Sequence, residues 1–218
     1  MLTTAQADHF ATFGFAVLRG FLTDRAAALR AEAEAAIRDA YAATYDERVI
    51  DGISGHYLPM TAQLTPVSAS LACDDPRFID AAHQLLGGPV IPECPEGVLY
   101  FAEAAAYRES IPGCIAATVP GDVIAFDLHT WHASFNGRDR LAWTAVYQRC
   151  PETAAERDRT LRSVHDSFEQ AFRGFDRDRY PVWRDCLDDI SAHPRRAPVS
   201  ERMRHAGVLD LPGALDGW

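Results

Sequence analysis

The sequence predicts an α+β fold, with a central group of strands between helices that precede and follow it along the chain. Apolar residues recur at helical spacing in residues 23–41 and 152–175, whereas residues 119–148 alternate short β-branched or aromatic runs with turn signals. The length of 218 residues suits one domain with a sizeable core. We therefore expect a single domain over 1–218, with a mainly helical part at 1–90, a β core at 91–150 and a helical part at 151–218.

Helix-boundary residues define the elements that precede the core. Gly14 can end the first helix, Thr23 can cap the second, and Pro76 suits the first turn of the third. Glycines and prolines between the second and third helices favour an irregular segment. In chain order, we predict a helix at 5–13, a strand at 15–18, a helix from 23 to about 41, an irregular segment at 45–70 and a helix at 76–86.

Turn signals divide the core into short strands. Pro120 presets φ and Gly121 accepts a positive φ, so residues 120–122 are predicted to form a turn. Asn136-Gly137 is a strong hairpin signal between two runs rich in β-branched and aromatic residues. We predict strands at 90–91, 98–101, 111–119, 123–126, 130–135 and 140–148, followed by helices at 152–175, 180–190 and 200–206.

Charge and cysteine content narrow the range of partners and compartments. The 31 acidic and 21 basic residues give a net charge of −10, which argues against nucleic acid or an anionic membrane as the main partner. We expect no membrane span and no signal peptide, because the sequence lacks the apolar runs that either would need. The five cysteines are odd in number and form no CxxC, which favours reduced thiols and a cytoplasmic location over a disulfide framework or a zinc site.

One segment of the core carries a distinctive motif. Residues 121–134 read Gly-Asp-Val-Ile-Ala-Phe-Asp-Leu-His-Thr-Trp-His-Ala-Ser, and Arg140 opens the next predicted strand. This pattern resembles the phytanoyl-CoA dioxygenase-like family of Fe(II)- and 2-oxoglutarate-dependent oxygenases, and the order of elements at the start of the chain is similar to that family too. The resemblance implies a double-stranded β-helix, or jelly-roll, core that is shortened here and flanked by N- and C-terminal helices.

The resemblance also implies two site residues. In the family, the histidine that matches His132 is the distal iron ligand, and the arginine that matches Arg140 binds the far carboxylate of 2-oxoglutarate. A guanidinium fork suits a carboxylate on chemical grounds as well. The alternatives are that His132 is a core histidine beside Trp131, and that Arg140 forms a salt bridge with Asp127 or Asp139.

The other half of the family's metal motif is altered in this sequence. The family supplies a first histidine and a carboxylate as His-x-Asp or His-x-Glu, and no such triplet occurs between residues 57 and 132. The triplet at the expected position is Tyr107-Arg108-Glu109, so the resemblance leaves Glu109 as the carboxylate and puts Tyr107 in place of the histidine. A neutral tyrosine binds Fe(II) less well than an imidazole does. The metal motif is therefore degenerate.

Three interpretations of this degenerate motif stay open. In the first, His132 and Glu109 hold iron, with His56, Glu103, Glu93 or water as the third ligand. In the second, the fold has lost its metal and works without it. In the third, which is compatible with both others, the shortened sheet has open edges that a second copy covers in a homodimer. His56 is otherwise either a residue of the substrate entrance or an ordinary loop histidine.

The function implied by the resemblance is a 2-oxoglutarate-dependent hydroxylase or oxygenase that acts on a small organic molecule such as a secondary metabolite. Its cofactors would be Fe(II) and 2-oxoglutarate. His132 and Glu109 would hold the metal, Arg140 would bind the co-substrate, and His129 and Tyr107 would join His132 as catalytic residues. The alternatives are a metal-independent, redox-neutral isomerase or cyclase that uses the same pocket for acid–base chemistry, and a non-catalytic binding or partner subunit.

Overall fold

The computed structural model describes residues 1–40, 49–50, 53–59, 65–93, 95–100, 114–132, 140–171 and 193–211. The chain divides into two compact units, Met1–Tyr57 with Val98–Ala142, and Leu58–Gly97 with Trp143–Trp218. In chain order, the helices and strands are α1 (Thr4–Phe13), β1 (Phe15–Leu18), α2 (Ala26–Ala40), β2 (Val49–Ile50), β3 (Ile53–Pro59), α3 (Pro66–Cys73), α4 (Pro76–Leu86), β4 (Val90–Pro92), β5 (Glu96–Tyr100), β6 (Val123–Phe126), β7 (Arg140–Thr144), β8 (Tyr147–Arg149), α5 (Ala154–Ala171) and α6 (Ala197–Ala206). Short 3₁₀ turns at Pro194–Arg196 and Val208–Asp210 flank α6.

Strands β1 and β6 form an antiparallel ladder in the first unit. Phe15 lies opposite Phe126, and Leu18 lies opposite Val123. Ala16 and Leu18 are buried, because alternate residues of a strand face the same side of the sheet. Both predicted strands are confirmed, but β6 pairs with the N-terminal strand instead of with a neighbouring strand of a meander.

The predicted turn before β6 is confirmed, and its glycine is required. The Asp122 N–H donates to the Val119 carbonyl at 3.0 Å, and Gly121 has a φ of 98° that few side chains tolerate. A Cβ atom at Gly121 would lie 2.8 Å from the Cα atom of Thr23 and 3.0 Å from its backbone nitrogen. The backbones therefore approach too closely for any other residue.

The Asp122 carboxylate ties this turn to the end of β1. It accepts hydrogen bonds from Gly20 N at 2.8 Å, Arg19 Nη1 at 2.7 Å and Val119 N at 3.1 Å. The bond from Gly20 is the largest of the contributions that hold the pKa of Asp122 below its usual value. The carboxylate is therefore part of the fold of the first unit.

Helices α1 and α2 follow the sequence signals closely. Thr3 and Gln6 form a capping box at the start of α1, and Gly14 ends the helix with a φ of 76°. Helix α2 begins at Ala26 rather than at Thr23, because Thr23 lies in a turn. The residues that α2 buries are Leu29, Ala33, Ala36 and Ile37, the apolar stripe expected from their spacing.

A four-stranded sheet has the strand order β2-β3-β5-β7, with β2 and β3 antiparallel. The chain passes from one unit to the other within β3, β5 and β7, and the first unit holds His56 on β3, Tyr100 on β5 and Arg140 on β7. The prediction of an irregular segment at 45–70 was wrong for the described part of that range, since β2, β3 and the first residues of α3 lie in it. Strand pairing outweighed the local preference of its glycines and prolines for irregular structure.

In the second unit, β4 and β8 form an antiparallel ladder in which Val90 lies opposite Arg149. A bond from Glu93 N to the Val146 carbonyl at 2.8 Å extends this ladder. The predicted strand at 140–148 is therefore two strands, β7 and β8, which belong to different sheets. Tyr147 on β8 donates its hydroxyl hydrogen to the Ala72 carbonyl on α3 at 2.9 Å.

A buried ion pair joins the 3₁₀ turn Pro194–Arg196 to the end of α3. Arg196 Nε lies 2.7 Å and 2.8 Å from the two carboxylate oxygens of Asp74. The side chains are only 6% and 12% exposed, respectively. His193 Nδ1 lies 3.7 Å from the same carboxylate.

The predicted helices at 76–86 and 200–206 are confirmed as α4, which Asp75 caps, and as the longer α6.

Helix α5 borders a buried carboxyl group in the second unit. Thr153 and Glu156 exchange backbone-to-side-chain hydrogen bonds at 3.0 Å and 3.2 Å, which form a capping box at the start of α5. Gln148 on β8 donates through its amide to Glu93 and, at 3.1 Å, to Ser163 on α5. Burial raises the pKa of Glu93, while its hydrogen bonds oppose that rise.

Several other predictions concern residues without regular structure or outside the described ranges. Residues 114–119 and 130–132 form no strand, so the predicted strands at 111–119 and 130–135 were wrong there. The hairpin signal at 136–137 and the helix at 180–190 lie outside the described residues.

The α+β class is confirmed by this mixture of helices and small sheets. Across the described ranges, the strands form sheets of two, four and two strands and close no barrel, so the jelly roll is not confirmed. In that part of the chain, no helix combines the length and the apolar character that crossing a bilayer would require.

Candidate functional site

The first feature of the candidate site is the packing of Arg140 against Tyr100. Arg140 opens β7, and its guanidinium carbon lies 4.2 Å from the ring centroid of Tyr100, which ends the neighbouring strand β5. Tyr100 is 6% exposed. A guanidinium over the face of a buried aromatic ring is attracted to the ring's electron density. The two strands therefore hold the cation in one orientation.

The second feature of the candidate site is the hydrogen bonding of the Arg140 N–H donors. Its Nε and Nη2 atoms are buried, and neither has a hydrogen-bond acceptor among the described residues. Both atoms lie on the same edge of the planar guanidinium, the edge that binds the two oxygens of a carboxylate side by side. The alternative of a salt bridge with Asp127 is not observed, and Asp139 lies outside the described residues. The arrangement suits an external anion with two acceptor oxygens.

His56 lies on the strand next to Tyr100 in the four-stranded sheet. It is 2% exposed on β3, whereas the sequence placed it in a loop. A buried histidine on a strand is in a more restricted environment than a loop histidine, so the interpretation as an ordinary loop residue was wrong. Its place at the substrate entrance stays a prediction.

The motif segment from Asp127 to His132, which we term the histidine turn, is not a strand. Asp127 Oδ1 accepts from His129 N at 2.8 Å and lies 2.8 Å from His129 Nδ1, while Thr130 N donates to the Asp127 carbonyl at 2.8 Å. This Asx-type turn explains why the β-rich sequence does not extend here. The bond from the His129 backbone is the main cause of a lowered pKa of Asp127.

The two histidines of this turn leave the same ring nitrogen available. His132 Nδ1 lies 2.8 Å from the Thr130 carbonyl, which can only accept, so Nδ1 carries a hydrogen and Nε2 is left for other contacts. His129 Nδ1 is held by Asp127 in the same manner. The His132 ring packs on Phe126 with centroids 4.3 Å apart.

Solvent exposure departs from the sequence prediction for both histidines. His132 is exposed, and the His129 side chain is 98% exposed. The two histidines lie three positions apart in a turn, so they are not on one strand. The alternative that His132 is a core residue is wrong as well. Trp131 beside it is 91% exposed.

The metal ligands implied by the resemblance are only partly described. Tyr107, Glu109 and Glu103 lie outside the described residues. Within the described ranges, no group of three or more His, Cys, Asp or Glu side chains is placed to hold a metal ion. Glu93 is a poor candidate for a third ligand, because it is buried and accepts a hydrogen bond from the Gln148 amide.

The structure also describes a cleft that sequence analysis missed. It has a volume of about 260 Å³ in the second unit, and it is lined by Gln148, Arg149, Cys150, Pro151, Glu156, Arg159, Thr160 and Ser163. Arg149 pairs with Glu156 there at 3.1 Å. Burial is the main cause of a raised pKa of Cys150, so its thiol is not activated. Tyr100 was missed too, although its place at the end of an apolar run was a usable signal.

Comparison with known proteins gives one distant similarity. No protein-family model matches the chain, and no curated protein matches it. Among solved structures, part of the chain is similar to HygX from Streptomyces hygroscopicus, which was crystallised with nickel and 2-oxoglutarate bound. The identity is 23%, the TM-score is 0.37, and the match covers 47% of this chain and 37% of the HygX chain. A match at this level does not establish a shared fold or activity, and it does not extend to the phytanoyl-CoA dioxygenase-like family.

Proposed function

We propose that this chain binds 2-oxoglutarate through Arg140 and acts as an oxygenase-type enzyme on a small organic molecule. The observation that carries the proposal is the buried Nε–Nη2 edge of Arg140, which has no acceptor among the described residues. Buried donors without acceptors cost about 1–3 kcal/mol, and more when they are charged. A carboxylate that accepts from both atoms would remove this cost.

The chemistry of the co-substrate matches this edge. 2-Oxoglutarate has a carboxylate at each end, so one end can be held by Arg140 while the oxo-acid end stays available for reaction. Tyr100 covers one face of the guanidinium, so the ligand would approach in the plane of the cation. The motif that resembles the phytanoyl-CoA dioxygenase-like family places an arginine with this role at the same position.

The described residues do not complete a site for iron. His132 offers Nε2, and the resemblance assigns a carboxylate to Glu109, outside the described residues, but no third ligand follows from the contacts described. Iron bound with 2-oxoglutarate would supply oxidative decarboxylation. The roles proposed for the chain are to anchor the carboxylate through Arg140 and to hold His132 with Nδ1 protonated.

Isothermal titration tests the proposal directly. Metal-free protein and protein with Mn²⁺ are titrated with 2-oxoglutarate, and we expect saturable binding that Arg140→Gln weakens by at least roughly 30-fold, because it removes a buried charged partner. Arg140→Lys should recover only part of the affinity, since an ammonium cannot bind side by side. Arg38→Gln, an exposed change on α2, is the matched control. No saturable binding with or without metal would refute the proposal.

One observation favours a second candidate, a redox-neutral acid–base enzyme. The Asp127 carboxylate orients His129 and leaves its Nε2 atom facing solvent, which is the arrangement of a general base supported by a carboxylate. This candidate predicts a reaction that continues under argon with a chelator and is lost in His129→Gln. Succinate formation from 2-oxoglutarate that requires O₂ and Fe(II) would favour the oxygenase instead.

A further inference from the structure

We infer that Tyr100 is a positioning residue that sets the affinity of the site for a carboxylate-terminated ligand by fixing the plane of the Arg140 guanidinium. The inference rests on the proposed function and adds a residue to it. Tyr100 is 6% exposed and lies 4.2 Å from the guanidinium carbon. Neither the sequence motif nor the family resemblance points to it.

The argument depends on which part of the cation the ring covers. An aromatic ring contacts the face of a guanidinium and uses none of its N–H donors, which project from the edges. An acidic side chain would also orient the arginine, but it would occupy those donors. Tyr100 thus restrains the cation while leaving Nε and Nη2 of Arg140 without acceptors among the described residues.

Holding the Arg140 side chain in place before the ligand arrives strengthens the binding of that ligand. A long arginine side chain that is free to rotate loses conformational freedom when a ligand immobilises it, and that loss weakens the complex. Tyr100 removes part of the loss in advance, because its own ring is held by burial at the end of β5. The benefit applies to a carboxylate that reaches Arg140 and not to the rest of the ligand.

The experiment compares dicarboxylates with a monocarboxylate. Glutarate carries both carboxylates of 2-oxoglutarate without the oxo group, whereas pyruvate has the oxo-acid end without the distal carboxylate. We expect Tyr100→Leu to weaken glutarate and 2-oxoglutarate binding by roughly tenfold, and to leave unchanged any pyruvate binding that Arg140→Gln also leaves unchanged. Tyr100→Phe should restore the dicarboxylate affinity, because the ring is kept. Tyr100→Met, whose flexible side chain adapts to the space left by the ring, replaces the leucine variant if that variant does not fold.

A structural control separates positioning from general destabilisation. Tyr147→Leu removes an aromatic side chain from β8 in the second unit, where the hydroxyl bonds to Ala72. It should lower the unfolding temperature without changing glutarate affinity. If the wild-type protein binds glutarate and Arg140→Gln abolishes binding while Tyr100→Leu does not change it, this inference is overturned and the proposed function stands. If the wild type binds neither dicarboxylate, the proposed function itself fails.

Discussion

Removal of Arg196 should destabilise the second unit strongly. Its Nε atom lies 2.7 Å and 2.8 Å from the Asp74 oxygens, and the two side chains are 6% and 12% exposed. Breaking such a pair by removing one partner costs about 3–5 kcal/mol, because the remaining charge stays buried. For a chain of this size, each 1 kcal/mol lowers the melting temperature by about 2–4 °C. We expect Arg196→Met to lower it by roughly 6–20 °C.

The assay is urea unfolding followed by tryptophan fluorescence and circular dichroism, with Asp74→Asn and the double variant measured alongside. The double variant leaves no unpaired charge at this position, so it should be more stable than the sum of the two single changes predicts. A coupling free energy below about 0.5 kcal/mol would show that the pair contributes no more than an exposed one. A loss of less than 1 kcal/mol in Arg196→Met would also refute the reasoning, since about 3 kcal/mol is the lower expectation.

Three other predictions follow from the turn and the buried carboxyl group. The folded-state pKa of Asp122 is lowered, so its contribution to stability is present above the ordinary value of 3.8 and is lost as pH falls through the folded value. In urea unfolding, wild type should therefore be more stable than Asp122→Asn, and this advantage should shrink in acid. Gly121→Ala should destabilise by more than about 1 kcal/mol in the same assay, because a Cβ atom would meet the Thr23 backbone at 2.8 Å in a positive-φ turn; an unchanged midpoint would contradict this. The folded-state pKa of Glu93 is raised, so its contribution is present below the ordinary value of 4.5 and is lost as pH rises through the folded value. Glu93→Gln should therefore gain stability relative to wild type as the pH rises above 4.5, and parallel pH profiles would refute that.

Local signals predicted the elements whose structure is decided locally. Gly14 ends α1 and the glycine of the turn before β6 has a positive φ, because few other residues tolerate those backbone angles. The stripe of α2 is buried as its spacing predicts. These features depend on residues within a few positions of one another, so one sequence suffices to find them.

Strand partners and the details of the site depend on distant residues and were not predictable in this way. The pairing of β6 with β1 joins segments that no local pattern connects. The histidine turn is held from a distance as well, since the Asp127 N–H donates to the Gly14 carbonyl at 2.8 Å. The motif identified Arg140, but only the structure puts Tyr100 against its face. The hydrophobic periodicity of a sequence indicates which residues are buried, but it does not indicate which aromatic ring packs on which cation.

The attachment of the histidine turn to Gly14 has a consequence during synthesis. The Gly14 carbonyl accepts from Thr130 Oγ1 at 3.3 Å, across 116 residues of sequence, and from Asp127 N at 2.8 Å. A ribosome adds about 5–20 residues per second, so β1 would wait several seconds for its partner strand to be translated. During that interval its backbone donors and acceptors are open to other nascent chains. Slower translation after residue 18 would lengthen this exposure and should raise the aggregated fraction in a cell-free synthesis.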